Sequence, residues 1–249
     1  MARILVGTLF SNVKNYAIMD WYKNLCKFSY PNFDVCAVDN SKDKKYHNKI
    51  FKYFSDHKSK SNIGKLTVLH TPRVHKDAEV FMAFSANELR KHFLKNDYDY
   101  LLYLECDIMP PVDILERLLS YGKQIISPLY FIGDKSSSYP MCSDINFYLN
   151  QSPLIINKSY IQGFYDIGEY NQPQPLTNSG LGCLLVYKDI IKEVPFRYDN
   201  ELSTDNKLIH HHDVMFAKDL FKKGIQNSYV PIICRHENVS WDIQRRMIN

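Results

Sequence analysis

A chain of 249 residues, 45% of them hydrophobic, can bury a sizeable core and fits one large α/β domain or two small ones. Its net charge of +4, with lysines gathered at Lys42, Lys44, Lys45, Lys49, Lys58 and Lys60, suits an anionic ligand but lies far below that of a dedicated nucleic-acid binder. No apolar run reaches the ~20 residues of a membrane span, and the apolar start at Arg3-Ile-Leu-Val6 reads as a short strand and not a leader. The six cysteines are scattered without a C-x-x-C pair and several sit in apolar runs, which reads as reduced, buried small hydrophobes and excludes a zinc knuckle or a disulfide framework. The expectation is a soluble, cytoplasmic chain, or one in the host cytoplasm if the chain is viral. The 18 Tyr and 14 Phe fit surfaces that stack on sugars or bases, and equally fit the codon bias of an AT-rich genome.

The predicted elements run in an alternating order. A buried strand over 4–6 ends at Gly7-Thr8, a helix follows over 16–28, and a second strand over 33–38 ends at Asp39-Asn40-Ser41. A Lys-rich connector leads to a strand over 66–70. A helical period over 78–95 then places Met82, Ala86, Leu89 and Phe93 on one face. The fourth strand, over 100–104, is followed by a short helix over 113–121 and a strand over 124–130. The segment 133–138 reads as loop, 146–169 as hairpin-like, and Pro173 and Pro175 punctuate a further loop. A strand over 183–187, a helix over 213–223 stopped by Gly224, a strand over 229–234 and a polar tail over 236–249 complete the chain. The alternation predicts a mostly parallel sheet flanked by helices, one domain over 1–249 with a nucleotide-type half (about 1–110) and a substrate half (about 111–249).

The segment Tyr98-Asp-Tyr-Leu-Leu-Tyr-Leu-Glu105-Cys-Asp107-Ile-Met-Pro-Pro111 carries the most chemistry. Its apolar strand ends in two carboxylates one residue apart, before two prolines. Residues i and i+2 of an extended strand point the same way. If strand geometry persists, Glu105 and Asp107 converge outside a carboxyl strand end, where open α/β sheets bind ligands. Paired carboxylates there suit a hard cation, although Asp and Pro are also ordinary turn residues.

Four features then stand in order: strand ends at Thr8 and Asp39; Glu105-Cys-Asp107; Asn178-Ser-Gly180-Leu-Gly182 before a strand; and His211-His212-Asp213 opening a helix, with His236 after the last strand. This order resembles the GT-A fold nucleotide-sugar glycosyltransferases of the family-2-like group, over roughly residues 3–236. The resemblance implies transfer of a sugar from a nucleotide diphosphate sugar, with UDP favoured, to an acceptor hydroxyl on a glycan or on a modified DNA base. Thr8, Asp39, Arg73, Glu105 and Asp107 would contact the donor. Asp107, Glu105 and His236 would hold Mn²⁺ or Mg²⁺, and an O/N ligand set leans to Mn²⁺. Gly180, Gly182 and His212 would shape the acceptor side, and Asp213 would act as the catalytic base. The chain departs from the family pattern at Glu105, a methylene longer than the first Asp of D-x-D, and at His212, where the pattern has Glu.

Plainer roles exist for the same residues. Asp213 suits a helix start, His236 a loop, Gly180 and Gly182 a tight turn, Arg73 a surface ion pair, and His210 and His211 the surface. Trp241, Arg245 and Arg246 belong to a tail that either folds over the donor or frays. A nucleotidyltransferase shares the paired carboxylates but wants a Gly-rich first loop, and 7–14 holds a single Gly. A degenerate nucleotide-sugar-binding module would keep the fold and lose the chemistry.

Overall fold

The computed structural model describes residues 1–58, 61–73, 77–133, 138–140, 174–176, 180–198 and 212–237. The expected hairpin at 146–169, Asn178, His210, His211, Cys142 and the tail with Trp241, Arg245 and Arg246 lie outside them. In chain order the elements are β1 (Ile4–Phe10), α1 (Ile18–Leu25), β2 (Phe33–Asp39), α2 (Lys44–His57), β3 (Ile63–His70), α3 (Ala78–Lys95), β4 (Tyr100–Leu104), β5 (Ile108–Met109) and α4 (Ile114–Ser120). They continue with β6 (Ile125–Leu129), β7 (Phe131–Gly133), β8 (Ser138–Pro140), β9 (Gln174–Leu176), β10 (Cys183–Tyr187), α5 (Lys188–Glu193), α6 (His212–Lys222), β11 (Asn227–Ile233) and β12 (Arg235–His236).

Eight of these strands form one mixed, mostly parallel sheet in the order β3-β2-β1-β4-β10-β6-β11-β9. Strands β3, β2, β1 and β4 are parallel, as the alternation with helices demands, and β6 is parallel to β11. The antiparallel β10 lies between β4 and β6, and β9 pairs antiparallel with β11 at one edge. Two small ladders, β12 with β5 and β7 with β8, complete the pairing.

The pleat sorts the core into two layers. On β1, Ile4, Val6 and Phe10 join the core packed against α1, α2 and α4, whereas Leu5 and Leu9 face the layer under α3, α5 and α6. On β4, Leu102 and Leu104 go one way and Leu101 and Tyr103 the other. Near-continuous apolar strands with helices on both faces are what a buried parallel sheet requires.

Several expectations change. Gly7 does not end β1, because the strand keeps pairing through Leu9 and Phe10 with Val38 and Asp39. A Cβ on Gly7 would meet Leu89 Cδ2 at 2.6 Å, so the glycine serves close approach of α3 to the sheet. The Lys-rich connector is in large part α2, capped by Asp43, whose side chain accepts the Lys45 N–H. Ile50 and Phe54 bury one face of it, with the Phe54 ring stacked 4.0 Å from that of Tyr22. Pro175 lies in β9 and not in a loop, which an edge strand tolerates because its missing N–H can face away from the ladder. Helix α5 follows β10 directly. Among the described residues the cysteines are unpaired, and Cys36, Cys106, Cys183 and Cys234 are buried.

Candidate active site

The apolar run of β4 stops at Leu104, and the Glu105 N–H extends the ladder with β10 by one bond, donating to the Gly182 carbonyl at 2.8 Å. The Ile108 N–H then closes a tight turn on the Glu105 carbonyl at 3.0 Å, before β5 begins. The two carboxylates therefore converge through a turn, not through strand alternation. They meet at Lys14, whose Nζ donates to Glu105 Oε2 at 3.0 Å and to Asp107 Oδ1 at 2.8 Å. Tyr16 OH donates to Asp107 Oδ2 at 2.9 Å. Both Lys14 and Tyr16 come from the turn after β1, where the sequence shows no glycine-rich signal to mark a site.

His236 arrives from the far end of the chain. Pairing of β12 with β5 sets His236 opposite Ile108, and the Glu237 N–H donates to the Asp107 carbonyl at 2.8 Å. Its ring Nδ1 lies 2.7 Å from the Phe131 carbonyl and its Nε2 lies 3.5 Å from Asp107 Oδ2. In the neutral ring, a proton on Nδ1 held by Phe131 leaves the Nε2 lone pair facing Asp107, as ligating histidines are commonly oriented.

Asp107 is 1% exposed, and the electrostatics follow from that. Burial alone would raise its pKa, but the His236 hydrogen bond and the Lys14 charge outweigh burial and hold the carboxyl well below its usual range. Burial opposes the Lys14 charge too, yet Glu105 and Asp107 raise its pKa above the ordinary lysine value. Burial and Asp107 push the Tyr16 hydroxyl up, so it remains a neutral donor. Burial lowers the His236 pKa, and Asp107 more than reverses this. The Asp107 carboxylate and His236 imidazole are an O/N donor pair within reach of one ion. The Lys14 ammonium occupies the place between the two carboxylates.

The other expected residues divide. Gly182 is buried beside the site, and its N–H donates to Tyr130 OH at 3.0 Å. Gly180 adopts φ 63°, a left-handed conformation that favours glycine. Asp213, at the start of α6, is half-buried and accepts the Val214 N–H on Oδ1 at 2.8 Å. After burial, its charge and that of Glu105 both act to raise the Tyr103 and Tyr130 hydroxyl pKa values. His212 is buried, with Nε2 3.3 Å from Tyr103 OH and its ring against Phe196, so its placement gives no support to an acceptor contact. Thr8 is likewise buried inside β1, two residues short of the strand end.

Beyond Phe10, Asp39 and His70, a cavity of about 420 Å³ is lined by Ser11, Asn12, Asn40, Ser41, Arg73 and Phe81, among others. The Arg73 guanidinium lies 4.4 Å from the Phe81 ring centre, giving a flat, cationic wall. Asp39 does not line the cavity. It is fully buried, with Oδ1 accepting the Ser41 N–H at 2.9 Å and Oδ2 3.0 Å from His70 Nδ1. The turn 11–16 connects the cavity to the two carboxylates.

No family model and no curated protein matches the chain. Solved structures do match. GalNAc-T7 with UDP, GalNAc and Mn²⁺ superposes with a TM-score of 0.61 at 11% identity, over 96% of this chain and 44% of that one. The mannosyltransferase PcManGT from Pyrobaculum calidifontis, in complex with GDP-Man and Mn²⁺, gives 0.57 at 14% identity, over 95% and 57%. S. aureus TarS gives 0.54 at 12%, over 98% and 39%. The chain has the GT-A fold. It spans about two fifths to three fifths of the length of these GT-A structures, and at such identities the likeness is one of fold alone. Within the GT-A frame, Glu105-Cys106-Asp107 stands at the carboxyl end of the central strand β4, beside the antiparallel β10.

Proposed function

We propose that this chain is a metal-dependent glycosyltransferase that moves a sugar from a nucleotide diphosphate sugar, a UDP-sugar in the first instance, to an acceptor hydroxyl. The observation that carries the reading is the convergence of Asp107, Glu105, His236 and Lys14 at the end of β4, joined by the turn 11–16 to a cavity walled by Arg73 and Phe81. The cavity takes the base and ribose, with Phe81 and Arg73 offering a stacking face and Asn40 and Ser41 polar partners. The diphosphate then lies along the turn toward Lys14.

Asp107 and His236 would hold Mn²⁺ or Mg²⁺, with Glu105 as an auxiliary ligand. When bound, the ion neutralises charge developing on the diphosphate as the anomeric bond breaks. Lys14, which bridges the two carboxylates, would supply a second positive charge to the diphosphate. Tyr16 keeps one Asp107 oxygen oriented. Asp213 accepts the proton of the acceptor hydroxyl, a step worth ~10²–10⁴-fold in rate. Gly180 and Gly182 allow the backbone to pass close beside the reacting centre.

Calorimetric titration of UDP-sugars with Mn²⁺ tests the reading. Parent protein should bind only with the metal, Asp107→Ala should lose that binding, and Glu105→Gln should weaken it less. Equal Mn²⁺-dependent binding by Asp107→Ala would overturn the metal assignment. Parent protein that binds no nucleotide sugar under any metal would overturn the function.

A further inference from the structure

We infer that the chain carries a second metal site, built from Asp39, His47 and His70, that takes a transition metal of the Zn²⁺ class and fastens α2 to the ends of β2 and β3. The site is separate from the one at Asp107 and does not depend on the proposed reaction.

The sheet builds two of the three ligands. Asp39 and His70 end neighbouring parallel strands and face each other in register, so one backbone ladder fixes both side chains. The third comes from α2, where His47 lies one turn after the capped N-terminus with its ring centre 5.7 Å from that of His70. One donor atom from each residue lies within 4.8 Å of the others. Tetrahedral zinc with bonds of about 2.0–2.2 Å would open the 3.0 Å Asp39–His70 contact slightly and draw His47 in.

Two details separate this cluster from an incidental ion pair. His47 Nδ1 is buried with no hydrogen-bond partner among the described residues, an arrangement that normally costs stability and that a metal bond would relieve. Asp39, which is fully buried, has Oδ1 held by the Ser41 N–H, leaving Oδ2 turned to His70. Two imidazoles and one carboxylate select Zn²⁺ or Co²⁺ over Mg²⁺ and Ca²⁺, which prefer oxygen shells. Three protein ligands leave a fourth position for water. Ser41 gives its N–H to Asp39 and its Oγ accepts the Asn12 N–H at 2.9 Å, so an ion on Asp39 stiffens the rim of the cavity lined by Ser41 and Asn12 without entering it.

The test uses full-length protein carrying Asp107→Ala, which silences the other site. After chelation, the protein is dialysed against buffered Zn²⁺ and its bound zinc measured, and Co²⁺ is followed by its visible absorption. The expected result is one zinc per chain, intense tetrahedral cobalt bands, and a zinc-dependent rise in melting temperature. His47→Ala and His70→Ala should each lose all three; His47→Ala should melt like its parent in chelator, which shows that it still folds, whereas His70→Ala melts lower because it leaves the buried Asp39 carboxylate without its partner. A His210→Ala/His211→Ala variant controls for adventitious binding by the consecutive histidines of the sequence and should bind as its parent does. Absence of bound zinc in the parent, retention of it in His47→Ala and His70→Ala, or its loss only in the His210→Ala/His211→Ala variant would each overturn the site.

Discussion

At the scale of single residues, His236 and Asp107 make opposite demands with and without metal. Without metal, the pair is most favourable when Asp107 is ionised and His236 protonated. Asp107, with its pKa depressed, contributes stability above the ordinary carboxylate range and loses it as pH falls through the folded value. His236, with its pKa raised, contributes fully below about 6.5 and loses its share as pH rises through the folded value. A ligand imidazole must instead be neutral, so Mn²⁺ affinity should rise over that same upper interval. Melting curves should therefore slope down with pH from about 6.5 upward in chelator and slope less steeply, or upward, in Mn²⁺. His236→Gln should remove both slopes, and a parent protein with equal slopes under the two conditions would detach His236 from the metal. Asp213→Asn keeps shape and hydrogen bonding while removing basicity. It should leave melting temperature and donor affinity near parental values and lower the transfer rate by ~10²–10⁴, measured in single-turnover assays. Transfer at the parental rate would make Asp213 a helix-start residue.

At the scale of elements, the approach of β10 to the site depends on a missing side chain. Gly182 accepts the Glu105 N–H on its carbonyl and gives its own N–H to Tyr130, and an added Cβ would fall on the Tyr130 ring. Tyr130 is buried and packs edge-on to His236 at 6.2 Å, so it cannot yield without disturbing that histidine. Gly182→Ala should destabilise the fold by about 1–3 kcal/mol, as overpacking does, and weaken Mn²⁺ binding as well. Denaturant titration and metal titration of one variant would check both. Helix α2 is hidden in the sequence. Its lysines masked a helical spacing that is plain at Tyr46, Ile50, Tyr53 and Phe54, and Asp43 marked its start. The period of α3 was unmasked, and 78–95 matches the helix found, with Ala86, Leu89 and Phe93 buried as expected.

At the scale of the whole molecule, the site closes only when both ends of the chain have folded. The turn after β1, the turn after β4 and the ladder of β12 on β5 meet at Asp107. Metal that binds only this assembly stabilises it by mass action. The Glu237 N–H, which donates to the Asp107 carbonyl, should exchange with deuterium more slowly once Mn²⁺ and UDP are added, and Asp107→Ala should abolish the difference. Unchanged exchange in the parent would mean that β12 is not part of the metal site.

The sequence by itself determined the layered α/β architecture, because buried parallel strands must be apolar throughout and helices must show a 3.6-residue stripe. Both patterns are local. It also set Glu105 and Asp107 together at the end of an apolar strand, while Asp213 and His236 were named only through the family resemblance, because a helix start and a loop use such residues routinely. What the tertiary structure decided is who meets whom. Lys14 and Tyr16 are unremarkable in the chain and reach Asp107 only because β1 and β4 are neighbours. Thr8 lies inside β1 because β2 continues the ladder beside it, and His212 is buried because Tyr103 and Phe196 enclose it. The pairing of Asp39 with His70, and of both with His47, is likewise invisible in sequence. Register between strands is set by contacts among residues far apart in the chain, and no local pattern encodes it.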